Sequence, residues 1–331
     1  MNRHRFSLWS ITCRLGRPGF AATGAILAAA LLASPVQAAT LPVAVSIPPQ
    51  AYLVEAIGGD HVEVQVMVPA NAEPVTYEPT PRQMAALSKA ELYFSVGVPF
   101  EKGWLPRFRA SNPDMAVIDT TARIQRRAMT PHAGHDHGDD HAEPDHDDAP
   151  EASARDPHVW LSPPLVRLQA ETIRDALIEA NPQQAAAFHR GFRQLAEEIN
   201  DIDGAILDAL TDIDPGARRF LVFHPAFGYF GASYGLEQMP IEVEGKEPGP
   251  RELAGIIERA RELGIRVIFI EPQFAQGAAR TIAREIGGEV LTLDPLARDW
   301  PAGMRAIATT LAEALHGDTA SDVTGHNGHE H

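Results

Sequence analysis

Pro-Gln-Gln-Ala-Ala-Ala-Phe-His-Arg-Gly-Phe-Arg-Gln-Leu-Ala-Glu-Glu-Ile-Asn-Asp-Ile-Asp-Gly-Ala-Ile-Leu-Asp-Ala-Leu, residues 182–210, decides the architecture. Its large apolar side chains Phe188, Phe192, Leu195, Ile199, Ile202, Ile206 and Leu210 recur every three or four residues. That period lines them up along one face of a helix. A helix from Pro182 to Leu210 is long enough to serve as a spine joining two lobes. Packing on a single sheet is the plainer alternative.

Strand and helix signals alternate on both sides of this stretch. Upstream, Leu41 to Ile47, Val62 to Val68, Leu92 to Val98 and Met115 to Ile118 read as strands. Ala51 to Ile57, Pro81 to Lys89 and Phe100 to Arg109 read as helices, and Leu165 to Ala180 leads into the spine. Downstream, the strands are Phe220 to Phe223, Pro240 to Val243, Val267 to Ile270 and Val290 to Leu293. Pro225 to Tyr234, Pro250 to Leu263, Phe274 to Ile286 and Pro301 to Leu315 are the helices between and after them. Such alternation implies parallel βαβ units. The expected fold is α/β, with two βα-repeat lobes, parallel sheets and one long bridging helix. Its parts are a leader over 1–38, an N-terminal lobe over 39–125 completed by 156–181, and an insertion over 126–155. The linking helix over 182–212, a C-terminal lobe over 213–316 and a tail over 317–331 follow.

Composition narrows the function. The chain has 331 residues, 44% of them hydrophobic, enough for a sizeable core. Acidic residues outnumber Lys and Arg by 44 to 28, a formal charge of -16. That balance excludes a nucleic-acid binder, which needs a basic face, and suits a cationic partner. Cys13 is the only cysteine, so neither a disulfide framework nor a cysteine zinc site is available. Arg3, Arg5, Arg14 and Arg17 precede an apolar run from Ala21 to Ala33, and Val36-Gln37-Ala38 supplies small residues at -3 and -1. This is the layout of a signal peptide cut after Ala38, with no cysteine for a lipid anchor. The expectation is an exported, periplasmic protein.

Three polar residues stand where a parallel sheet holds ligands. His224 follows the strand Phe220 to Phe223, and Asp294 follows Val290 to Leu293. His158 lies in Asp156-Pro157-His158-Val159-Trp160. Ligands of α/β sheets bind beyond the carboxyl ends of strands. Two neutral imidazoles and a carboxylate suit Zn²⁺, or Mn²⁺ if more oxygen joins. The insertion carries His132, His135, His137, His141 and His146 among many acids, and the tail carries His326, His329 and His331. The insertion reads as a disordered, weakly metal-binding loop.

Taken together, these motifs resemble the zinc- and manganese-binding solute receptors of ABC transporters, the ZnuA- and TroA-like group. The resemblance runs from about Leu41 to Leu315. Its stretches are Tyr77-Glu78-Pro79, Phe100-Glu101, Trp104-Leu105 and Asp156 to Pro163. They continue with Phe223-His224-Pro225-Ala226-Phe227-Gly228-Tyr229, Glu271-Pro272-Gln273-Phe274 and Leu293-Asp294-Pro295-Leu296. It implies two lobes bridged by one helix, a metal between them, Zn²⁺ (or Mn²⁺) as cargo, and an inner-membrane ABC permease as partner of a monomeric receptor. By position it makes His158, His224 and Asp294 ligands. A further family histidine falls at Val75, in Glu73-Pro74-Val75-Thr76-Tyr77-Glu78-Pro79, and valine cannot coordinate. Water, Glu73, Glu78, His61, Glu271 or a loop histidine are candidates for its place.

Other chemistries are less well served. Gly231-Ala232-Ser233-Tyr234-Gly235 matches a nucleophile elbow, with Asp294 and His316 in chain order. An elbow needs a strand before its serine, whereas here a helix precedes it and Gly235 reads as a C-cap. Gly245-Lys246 lacks the spacing and the Ser or Thr of a P-loop. A metal hydrolase using His158 and His224 has no His-Glu-x-x-His helix behind it. A zinc buffer working through the loop is the remaining alternative, and it would lose its function when the loop is deleted.

Overall fold

The computed structural model describes residues 40–129, 155–242 and 246–322, with side chains to 316. The leader, the five histidines of the insertion and the three of the tail lie outside the described residues. From Thr40 onward the chain forms one compact unit. No described helix is long and apolar enough to cross a membrane.

The first half builds β1 (Leu41–Val45), α1 (Pro48–Gly58), β2 (Val62–Val66), α2 (Pro81–Leu87), β3 (Leu92–Ser95), α3 (Pro99–Ser111) and β4 (Ala116–Asp119). These strands form one parallel sheet in the order β2-β1-β3-β4. Two helices follow, α4 (Pro163–Ala180) and α5 (Ala185–Leu210). The second half builds β5 (Arg219–Val222), α6 (Gly228–Tyr234), β6 (Glu237–Pro240), α7 (Pro250–Glu262), β7 (Val267–Ile270), α8 (Gly277–Ile286) and β8 (Glu289–Thr292). Its parallel sheet runs β6-β5-β7-β8, the same order again. α9 (Trp300–Asp322) closes the chain. Every residue of β3 and of β7 is buried, as expected for parallel strands covered on both faces.

The spine forms as its period predicts. All seven large apolar residues of the stripe are buried, and α1, α4 and α9 pack on α5. Gly191 permits the close approach to α1, since a Cβ there would strike the Ile57 carbonyl. One continuous core runs from β1 through α5 to Phe220, Val222 and Leu315. The helix therefore joins both lobes rather than lying on one sheet. A separate cluster, including Leu221, Phe223, Ile268 and Ile282, fills the outer face of the second sheet.

Element ends differ from expectation for identifiable reasons. β1 stops at Val45 because the Ser46 and Ile47 amides are taken by Gln50 Oε1 at 3.1 and 3.3 Å. β3 stops at Ser95 because Glu101 accepts from the Val96 and Gly97 amides at 2.8 and 2.9 Å. The strand expected at Pro240 to Val243 lies earlier, with Pro240 as its last residue on the sheet edge, where a missing N–H is tolerated. The helix expected from Pro225 begins at Gly228, because Gln238 holds the preceding turn through Phe227 N and Pro225 O. Pro182–Gln184 is a 3₁₀ turn, and α5 starts only at Ala185. The insertion's ends are ordered: Ala128 bridges Arg155, and the Asp156 amide donates to Arg127 O at 2.9 Å.

The spine yields a stability test. Ile202 is fully buried in the stripe, whereas Leu207 is 49% exposed on the same helix. Ile202→Ala is expected to cost about 2–5 kcal/mol. Leu207→Ala is expected to stay within about 0.5 kcal/mol. Urea unfolding of both variants checks this, and equal losses would contradict a spine buried along that stripe.

Candidate metal centre

The second sheet reverses its strand order between β5 and β7, and a crevice opens beyond their carboxyl ends. His224 comes two residues after β5, and Glu271 directly follows β7. Because the two strands are hydrogen-bonded neighbours, these residues are adjacent: the His224 amide donates to Glu271 Oε2 at 3.4 Å. Glu242 lies two residues beyond β6, the strand on the other side of β5.

His158 reaches the same place from a different part of the chain. It precedes a 3₁₀ turn, Val159–Leu161, that leads into α4. The segment is fixed against the second half of the chain. The Trp160 indole donates to Pro295 O and the Trp300 indole to Trp160 O, both at 2.7 Å. The Tyr229 hydroxyl donates to Asp156 O at 3.2 Å and accepts from the Arg127 amide at 2.8 Å.

The two imidazoles meet tip to tip. His158 Nε2 and His224 Nε2 are 3.3 Å apart. Each ring is turned by a buried carboxylate: Asp156 Oδ1 is 2.7 Å from His158 Nδ1, and Glu242 Oε1 is 2.8 Å from His224 Nδ1. A carboxylate only accepts, so both Nδ1 atoms carry protons. In the neutral rings both Nε2 atoms are then bare lone pairs. Two lone pairs that close repel unless a cation sits between them. A proton or a metal ion meets that demand.

The electrostatics agree. Burial pushes His224 down, but its hydrogen bond to Glu242 and the charges of Glu242, Glu271 and Asp156 outweigh it and raise the group. For His158 burial dominates over Asp156 and lowers it. Burial pushes the Glu271 carboxyl up to about 8, against the opposing charge of His224. Glu271 Oε1 is buried with no hydrogen-bond partner among the described residues.

The remaining candidates are placed as follows. Glu271 and Glu73 line the same cleft as the two histidines. Asp294 is half-buried after β8, its Oδ1 accepting from the Leu296 amide at 2.9 Å, and its neighbours Pro295 and Leu296 line the cleft. Glu78 is exposed and does not line it. His61 lies edge-on to Phe188 of the spine, with ring centroids 6.0 Å apart. Val75 lines the cleft and is 55% exposed. Among the described residues, no three His, Cys, Asp or Glu side chains form a ready metal-holding group. Ser233 lies inside α6, and Gly235 is its left-handed C-cap at φ 70°, so no nucleophile elbow exists there.

Sequence reasoning passed over Asp156 and Glu242. Asp156 was legible as a carboxylate two residues before a candidate ligand. Glu242 carried only the strand-end signal, and misplacing β6 hid it.

Residues 43–314 match the family described as ZnuA, zinc-uptake complex component A, periplasmic. The chain is 27% identical to the zinc-binding protein AdcA of Streptococcus pyogenes serotype M3 over 72% of its own length and 47% of that protein's. It thus spans about half the length of the AdcA relatives it matches. It is 28% identical to the high-affinity zinc uptake system protein ZnuA of Bacillus subtilis, covering 72% of each chain. With the manganese-binding lipoprotein MntA of Halalkalibacterium halodurans it shares 26% identity, over 72% of this chain and 75% of that one. A ZnuA crystal structure is 39% identical with a TM-score of 0.74, covering 83% of this chain and 99% of that one. A zinc-bound ZnuA deletion mutant gives the same identity and score, covering 83% and 98%.

The histidine pair makes a prediction for the metal-free protein. His224 is expected to gain its proton above pH 6.5, the ordinary value, and His158 below it. The two contributions to stability have opposite signs. That of His224 is complete below 6.5 and is lost as pH rises through its folded value. That of His158 is present above 6.5 and is lost as pH falls through its folded value. A two-dimensional NMR titration of the imidazole resonances checks the order, and simultaneous titration near 6.5 would contradict it.

Proposed function

Because the chain belongs to the periplasmic zinc-uptake complex component A family, we propose that it is an exported receptor that captures a divalent metal ion and hands it to an ABC-transporter permease. Zn²⁺ is the first-choice cargo and Mn²⁺ the second. The relatives supply both precedents, in AdcA and ZnuA for zinc and MntA for manganese.

One observation carries the metal reading. Two nitrogens bound to one tetrahedral zinc at about 2.0–2.1 Å lie about 3.3–3.4 Å apart. The two Nε2 atoms already stand 3.3 Å apart, with both Nδ1 protons held away by carboxylates. The rings are thus set as zinc ligands before any ion arrives. Asp156 and Glu242 fix their tautomers and make the nitrogens more basic, the usual service of a carboxylate behind a metal-bound histidine.

The third protein donor is a carboxylate. Asp294 takes this role in our reading, from its place after β8 and the family pattern. A specific observation favours a competitor: Glu271 Oε1 is buried without a partner among the described residues, and the residue lines the cleft. Nothing in this reading requires turnover. The protein binds, carries and releases, and the tryptophan clamps across the lobes favour release by small movements.

Chelator competition with zinc tests the assignment. Glu242→Gln keeps the shape but loses the carboxylate, and is expected to weaken zinc by about 10–100-fold. His224→Ala is expected to lose more than that while the circular dichroism stays native. Asp294→Ala is expected to exceed Glu271→Gln in its loss, and the reverse order would transfer the third position to Glu271. Unchanged affinity in His224→Ala would remove the site.

A further inference from the structure

The cleft is much larger than its proposed cargo. It measures about 650 Å³. That volume falls in the range of about 300–1,000 Å³ typical of small-molecule pockets. An ion of roughly the size of one water needs about 30 Å³. Its walls beyond the histidines are largely apolar, with Val75, Val98, Leu105, Trp160 and Phe274 among them.

Its charged walls offer a hold for carboxylates as well as for a cation. Lys102, Arg126 and Arg155 all line it, and among the described residues none of the three is in an ion pair. The Arg126 guanidinium lies over Gly97, where a Cβ would strike it. Three acids, Glu73, Glu101 and Glu271, line it as well, and Glu101 is spent on Ser46, Val96 and Gly97 inside the lobe. These three cations, with no ion pair among the described residues, can hold carboxylates that the ion carries in.

We infer that the cleft takes its metal as a complex with a small carboxylate chelator. This rests on His158 and His224 being metal ligands. The two imidazoles fill two positions on the ion, and the chelator fills the positions that Val75 leaves without a protein donor. A carboxylate of the chelator not bound to the metal pairs with Lys102, Arg126 and Arg155, and its carbon skeleton lies on the apolar wall.

The test uses the purified chain with zinc alone, and with zinc plus citrate or free histidine. Native mass spectrometry reads composition, and competition against an optical zinc probe reads affinity. A protein–zinc–chelator species in a 1:1:1 ratio is expected for at least one chelator, with less loss of zinc affinity than its own competition for zinc dictates. Lys102→Gln combined with Arg126→Gln is expected to weaken the ternary complex about tenfold or more, the usual effect of losing charge-assisted bonds. Val75→His is expected to shift preference toward zinc alone. Zinc without chelator in every mass, with affinity falling by the full competition, would overturn the inference and leave the histidine site intact. Chelator retained without zinc in His158→Ala would overturn it in favour of a plain anion site. No zinc under any condition would instead overturn the metal receptor reading itself.

Discussion

Two imidazole nitrogens 3.3 Å apart, each ring's other nitrogen turned to a carboxylate, set the terms for the rest of this molecule. The arrangement is costly in an empty site, because like lone pairs face each other. It persists because each ring is locked from behind by a buried carboxylate, Asp156 or Glu242. Those carboxylates are themselves buried. The fold thus stores a demand for positive charge at one point. The raised pKa of His224 is the proton's partial answer to that demand, while burial lowers that of His158, with the charge of His224 adding to it.

The duplicated topology explains why this point lies where it does. Both sheets reverse strand order at the same place, so both offer a crevice beyond their carboxyl ends. In the first sheet the crevice is plugged from within. Glu101 swings back from α3 and accepts bonds from Ser46 of the β1 end and from the two amides after β3. In the second sheet no described residue forms such a plug, and His224, Glu242 and Glu271 stand around the opening. One lobe uses its switch point to close itself, and the other leaves polar side chains around it. His158 comes over from the segment before α4, and the tryptophan clamps hold it in register.

Periodic features were legible early. The stripe from Phe188 to Leu210 gave the spine because burial acts on every third or fourth residue and leaves a repeating trace. The alternation of strands and helices gave the parallel lobes for the same reason. The strand ends were not legible, because they were set by single side chains. Gln50 and Glu101 capture backbone amides that a run such as Leu92 to Val98 would otherwise offer to the ladder. Nothing in local composition announces that capture.

The site divides along the same line. Sequence by itself determined that His158 and His224 stand at strand-end or turn positions and that Cys13 is the only cysteine, and the family resemblance put Val75 where a donor is expected. Those are statements about residue type and local order, which the linear chain carries in full. Only the tertiary structure decided that the two rings meet at Nε2, that Glu242 rather than a nearer acid orients His224, and that Glu271 is buried with an unpaired oxygen. Those depend on distances between segments 18 to 66 residues apart. Such distances are fixed by strand pairing within the second sheet and by the packing of the segment before α4 against it, not by any property of the residues between them.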